Sequence, residues 1–287
     1  MKYFSLLALS ALLISPTAHK HELCQGFVPE NDLYIEVSAL GNKGITEAQF
    51  NKVMDDVESV YAPIIASKGG VLDLKRLWSN GTVNASAQRS GNTYIVNMYG
   101  GLARHETITW EAMALVACHE VGHHIGGAPK INSWWSSWAS NEGQSDYFAT
   151  LKCLRKVFSN ADNADFVQTE NVDEYARSKC MEAHADENTQ NLCMRMAMAG
   201  DSVAALFQAL RKEETKAKFD TPDSSTVGRT NDQHPATQCR MDTYFSGALC
   251  TAALSDDVSK NDPVSGTCSR SAGSNEGTRP LCWYKPN

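Results

Sequence analysis

The sequence predicts an α+β fold: a small, mostly antiparallel sheet packed on one buried helix and followed by a helical subdomain. Three observations carry this expectation. Residues 71–78, 83–88 and 93–98 read as short strands, the last two separated by a turn signal. Residues 110–125 are apolar almost all round, the mark of a helix enclosed by the core. Beyond residue 143 the apolar residues recur at helical spacing.

In chain order, Leu33 to Val37 alternates and reads as a strand. Thr46 and Gln49 form a capping box ahead of Phe50, Val53, Met54, Val57, Val60 and Tyr61, which share one helix face. Pro63 is expected to end or kink that helix. Val71 to Trp78 is the second strand. Ser90-Gly91-Asn92 joins Val83–Gln88 to Thr93–Met98 as a hairpin, and Gly100 and Gly101 close the sheet-rich half, 27–101. The buried helix, Trp110 to Ile125, stops at Gly126-Gly127. A loop with Trp134, Trp135 and Trp138 leads to a helix from about Gly143 to Phe158, so two helices fill 107–158. The helical half, 172–254, is expected to hold two or three helices up to Arg211, a polar, mobile loop from Lys212 to Asp232, and a helix started by Pro235.

Residues 19–254 thus read as one domain and 255–287 as a cysteine-containing tail. Residues 1–18 read as a signal peptide: Lys2, then an apolar run from Phe4 to Ile14 too short to span a bilayer, then Ala18 as the last residue removed. No transmembrane segment is expected in the mature protein, which should be secreted or periplasmic and monomeric. The net charge of −7 argues against nucleic acid as a partner. Nine cysteines suit an oxidising compartment. Cys118, inside the apolar helix, reads as a free buried thiol. Cys24, Cys153, Cys180, Cys193, Cys239, Cys250, Cys268 and Cys282 then form four bridges whose pairing the sequence leaves open. One pair is excluded: Cys239 and Cys250, on one helix, would lie about 16 Å apart, beyond disulfide reach.

The buried helix carries His119-Glu120-Val121-Gly122-His123, an HExxH motif. Residues four apart share a helix face, so both imidazoles can reach one ion. Glu120, one position on, can touch a water at that ion without binding it. Two histidines and a carboxylate in an apolar helix are costly unless paired, and a divalent cation pairs all three. A catalytic zinc needs a third protein ligand and an open position. Position 129 is Pro129, so a third histidine six residues after His123 is excluded. Glu142 and Asp146, four apart at a helix start, are the next candidates: Glu142 as ligand, Asp146 as hydrogen-bond partner of a ligand histidine.

With Asn141-Glu142-Gly143-Gln144-Ser145-Asp146 following HExxH, the chain resembles the gluzincin metallopeptidases. Its surroundings look more like the HtpX and CAAX prenyl protease family (peptidase family M-48). Asn84-Ala85-Ser86-Ala87, then Gly91 to Val96, resembles that family's edge-strand segment. His234-Pro235 followed by Arg240 is similar to its His-Pro element. The resemblance covers roughly residues 80 to 160 plus 231 to 242 and lacks the family's membrane helices. It implies a zincin-like fold, one Zn2+ per chain on His119, His123 and Glu142, and hydrolysis of peptide or protein substrates. Glu120 would be the base and His234 a candidate catalytic donor. Tyr94, Ile95, Val96, Asn97 and Met98 are the candidate substrate strand, offering backbone groups to an extended peptide. The rival reading is a catalytically silent, zinc-stabilised secreted binding protein. Glu120 argues against it, because a structural site needs no base.

Overall fold

The computed structural model describes residues 22–23, 26–39, 43–131 and 138–286. The signal-like residues 1–18, Cys24, Trp134 and Trp135 lie outside the described residues. The fold is mixed α+β. Three principal strands, β2 (Val71–Leu77), β3 (Ala85–Ser90) and β4 (Thr93–Tyr99), are joined by a two-residue strand β1 (Glu22–Leu23) in the order β1-β3-β4-β2. β1 and β4 flank β3 antiparallel, and β2 runs parallel to β4. β2 reaches β4's outer edge because the β3–β4 hairpin turns back beside it.

Helix α1 (Glu47–Ser67) starts at the Thr46–Gln49 capping box and buries Phe50, Val53, Met54, Val57, Tyr61 and Ile65. It runs through Pro63 rather than ending there. Tyr61 and Ile65, both buried, hold the last turns on the core, and that packing outweighs the one hydrogen bond a proline removes. Leu33 to Val37 is not a strand. Only a bridge from Tyr34 to Thr82 forms; Leu33 and Val37 face outward and only Ile35 of the alternating set packs against the core, too little to make a buried strand face.

After the short helix α2 (Gly100–Arg104), the buried helix α3 (Trp110–Ile125) is capped by Thr109, whose side chain accepts the Ala112 N–H. The next segment is continuous but mixed: α4 (Glu142–Phe148), one π turn (Ala149–Cys153) and α5 (Leu154–Val157). α6 (Asn163–Thr169), α7 (Glu174–Ala183), the long α8 (Glu187–Arg211) and α9 (Thr237–Leu249) complete the helical half. α9 begins two residues later than Pro235 suggests, with Ala236 as its cap.

Cys118 is not a free thiol. It bridges Cys153, tying α3 to the π turn, because the two buried sulfurs meet where those helices pack. The other bridges are Cys180–Cys193, Cys239–Cys282 and Cys250–Cys268, so Cys239 and Cys250 do find separate partners. Cys24 is left as the ninth cysteine. Residues 212–232 form no helix or strand, but they are tied down: Asp223 N–H donates to Asp242, Val227 N–H to Leu281 and Asn231 N–H to Trp283. The tail holds this segment because Trp283 is fully buried and donates Nε1–H to Thr243 at 2.9 Å. Among the described residues no helix is long and apolar enough to cross a membrane. Four disulfides fit an oxidising compartment.

Candidate metal centre

Helices α3 and α4 meet closely because Gly122 has no side chain. A Cβ there would lie 3.1 Å from Ser145 backbone and from the Phe148 ring. The chain between them folds back through Ser140, whose N–H donates to the His123 carbonyl at 2.9 Å. Asn141 then caps α4 by accepting the Gln144 N–H. Gln144 donates to the Gly126 carbonyl at the end of α3, and the tail's buried Arg279 donates to Gln144 at 2.7 Å. The start of α4 is thereby fixed against the end of α3.

This packing brings one ligand atom each of His119, His123 and Glu142 within 4.8 Å of one another, all buried. Each imidazole is oriented through its far nitrogen. His119 Nδ1–H donates to Asp146 Oδ1 at 2.7 Å, and His123 Nδ1–H donates to the Ser140 carbonyl at 2.8 Å. Both Nε2 atoms therefore point inward. His119 Nε2 lies 3.3 Å and His123 Nε2 3.6 Å from the Glu142 carboxylate. Close as they are, His119 Nε2, His123 Nε2 and Glu142 Oε2 have no hydrogen-bond partner. Two inward imidazoles and a carboxylate, converging without satisfying one another, form a donor set that can hold a metal ion.

Asp146 is the opposite case. Beyond His119, it accepts from Arg240 Nε at 2.8 Å, Arg240 Nη2 at 2.7 Å and the Tyr244 hydroxyl at 2.8 Å. Arg240 also donates to the Phe27 carbonyl and lies over the Phe27 and Phe207 rings. Burial opposes its charge, but the Arg240 guanidinium and His119 win and hold the Asp146 carboxyl below its ordinary range. Burial likewise works against charge on His119. Asp146, then Glu142, overcome it and push the imidazole up to about 9. Glu120 is fully buried and neither oxygen has a partner. Burial pushes its carboxyl up to about 8; His119 opposes the shift and Glu142 adds to it.

His234, just ahead of α9, reaches the same cluster. Its Nε2 lies 3.3 Å from Glu142 Oε2 and donates to the Gly26 carbonyl at 2.8 Å. Thus His119, Glu120, His123, Glu142, Asp146 and His234 come together from three parts of the chain. The candidate substrate strand does not offer its edge. Residues Tyr94 to Met98 lie in β4, paired to β3 on one side and β2 on the other, so their backbone groups are engaged. Their role as a peptide-pairing strand is therefore corrected, and the edge beside the cluster belongs to β3. His124 turns away from the ligands: it stacks between Tyr94 and Trp138 and donates Nε2–H to the Ile95 carbonyl.

Sequence reasoning missed Tyr244 and Ser140. Tyr244 had a signal, since it stands four residues after Arg240 on one helix. Ser140 acts through its carbonyl, which any residue supplies. No protein family, curated protein or solved structure matches the chain.

Proposed function

We propose that this chain is a secreted or periplasmic zinc endopeptidase of the gluzincin type, with a zincin-like fold and one Zn2+ on His119, His123 and Glu142. One observation carries the reading: the donor set lies beside Glu120, a buried carboxylate with no partner on either oxygen, on the same helix as two of the donors. A purely structural metal site gives no reason to bury such a group unpaired.

Zinc bound there would supply Lewis acidity, which makes hydroxide available near neutral pH and polarises a peptide carbonyl. The chain's own groups do the rest. Glu120 takes the proton from the attacking water and passes it to the leaving amine. Asp146 and the Ser140 carbonyl fix the ligand tautomers so that both Nε2 lone pairs face the metal. His234 donates a hydrogen bond to the oxygen on which negative charge develops.

The test is wild type against Glu120→Gln on a mixed peptide library, with zinc measured in both. The variant is expected to keep one zinc per chain and lose turnover by on the order of a thousandfold, with little change in substrate affinity. Equal turnover would sink the mechanism. A catalytically silent binding protein would bind zinc and cleave nothing in either form.

A further inference from the structure

The edge of β3 nearest the metal cluster is covered by the chain's own N-terminal segment. β1 pairs antiparallel with its far end, Glu22 opposite Arg89 and Leu23 opposite Gln88. Further along, Phe27 N–H donates to the Ala85 carbonyl at 2.9 Å. Val28 exchanges two hydrogen bonds with the Asn84 amide, its N–H donating at 3.1 Å and its carbonyl accepting at 3.2 Å. The polar groups around the cluster meet Gly26 and Phe27 of the same segment. His234 donates to the Gly26 carbonyl and Arg240 to the Phe27 carbonyl at 2.9 Å. The Phe27 ring is fully buried, 4.9 Å from the His119 ring and 5.4 Å from Phe207.

We infer that residues 26–28 occupy the peptide-substrate channel of their own chain, with Gly26–Phe27 in the place of the scissile bond. This rests on the peptidase reading above and names the substrate class. The peptide runs antiparallel to β3 and bends just after the bond, with a small residue before the bond and an aromatic residue after it. Each part of the pose has a reason in the site. The carbonyl of Gly26 is held by the histidine that also touches the ligand carboxylate, which is where a reacting carbonyl must sit. A side chain at position 26 would meet the Asn84 amide at 2.7 Å, and that amide is already engaged by Val28, so the site favours glycine there. The ring of Phe27 fills an apolar pocket floored by Phe207 and roofed by the Arg240 guanidinium. The Arg240–Asp146 pair thus serves both sides: it orients His119 and holds the carbonyl after the bond. Hydrolysis of a peptide in this pose adds water to the first carbonyl carbon. The C–N bond then breaks to give a carboxylate and an amine, whose proton comes through Glu120. While its own segment stays seated, the site is closed to other peptides.

The experiment uses the zinc-loaded full chain as wild type and as Gly26→Val, which crowds Asn84 and unseats the segment without touching the ligands or Glu120. The probe is a synthetic peptide with the sequence of residues 22–30, serine replacing cysteine, and a second peptide with valine in place of the glycine. Gly26→Val should cleave the first peptide between glycine and phenylalanine on the order of tenfold faster than wild type, because the competing segment is displaced. The valine peptide should be cut at least several-fold more slowly. Binding gives a readout apart from activity: Gly26→Val combined with Glu120→Gln should bind the glycine peptide on the order of tenfold tighter than the chain bearing Glu120→Gln alone. Equal binding by both chains overturns the inference, and so does cleavage that ignores the two positions. Tighter binding with no cleavage by Gly26→Val keeps the inferred peptide channel and overturns the peptidase reading instead.

Discussion

Glu142 and Asp146 stand one turn apart on α4, both fully buried, yet their surroundings differ in kind. Asp146 receives two donors from Arg240, one from Tyr244 and one from His119. Glu142 faces three imidazole nitrogens, those of His119 and His234 at 3.3 Å and that of His123 at 3.6 Å, yet its Oε2 has no hydrogen-bond partner. A buried polar group with every partner in place fixes structure. A buried group left without partners is expensive and calls for an explanation in chemistry. The complete network around Asp146 is what permits the incomplete one around Glu142, because it holds His119 in the single orientation that aims Nε2 inward.

The largest effect should come from removing a donor on the incomplete side. His123→Ala should lose the metal. A bound ion stabilises the folded chain by about 4 kcal/mol when present at a thousandfold over its dissociation constant. Wild type should therefore melt at lower temperature in chelator, and His123→Ala should melt alike with and without it. His124→Phe is the control. It keeps the stack between Tyr94 and Trp138, loses one bond to Ile95 at a cost of about 1 kcal/mol, and should still respond to chelator. A chelator response in His123→Ala equal to wild type would erase the contrast between neighbouring histidines.

That contrast was partly legible in the sequence. HExxH fixes which imidazoles share a helix face, and four-residue spacing on a capped helix puts Glu142 and Asp146 on one side. Helix periodicity alone separates His124 from His123 by about 100°. What stayed hidden came through space rather than spacing. Cys118 looked like a core thiol because its partner, Cys153, sits in a π turn that no residue pattern announces. The alternation of Tyr94 to Met98 identified a strand but not its neighbours, and only sheet order shows that β4 is enclosed between β3 and β2. The loop of residues 212–232 reads as mobile because its composition is polar, yet it is pinned by Trp283 and the tail, more than fifty residues later.

Arg240→Met probes the complete side. It leaves Asp146 ionised and buried with two donors gone, which should cost about 3–5 kcal/mol in urea denaturation. Zinc affinity should fall by about 10- to 100-fold as His119 loses its anchor. Tyr244→Phe removes a single hydroxyl donor to the same carboxylate and should cost about 1.5–3 kcal/mol. If both variants kept wild-type zinc affinity, Asp146 would be structural only, and its bond to His119 would do nothing for the metal.

The smallest expected effect lies on α9 itself, two residues from Arg240. Asp242 has no guanidinium; it accepts only the Asp223 N–H and the Gln238 amide. Burial therefore prevails over these dipoles and pushes its carboxyl up to about 6, against an ordinary 3.8. The sign follows from proton counting. Between about pH 4 and 6 the folded chain holds the proton that the unfolded chain has released, so this group's contribution to stability falls as pH rises, and the full penalty is present above 6. Asp242→Asn removes the titration. Asparagine keeps one acceptor oxygen and loses the other, a cost separate from the titration, so the quantity to read is the change in the stability difference between variant and wild type. That difference should move in favour of Asp242→Asn by on the order of 1 kcal/mol between pH 4 and pH 7. A difference that stays flat, or moves toward wild type, would show that dipoles alone support a buried carboxylate on this helix and that Asp146 does not need Arg240's charge.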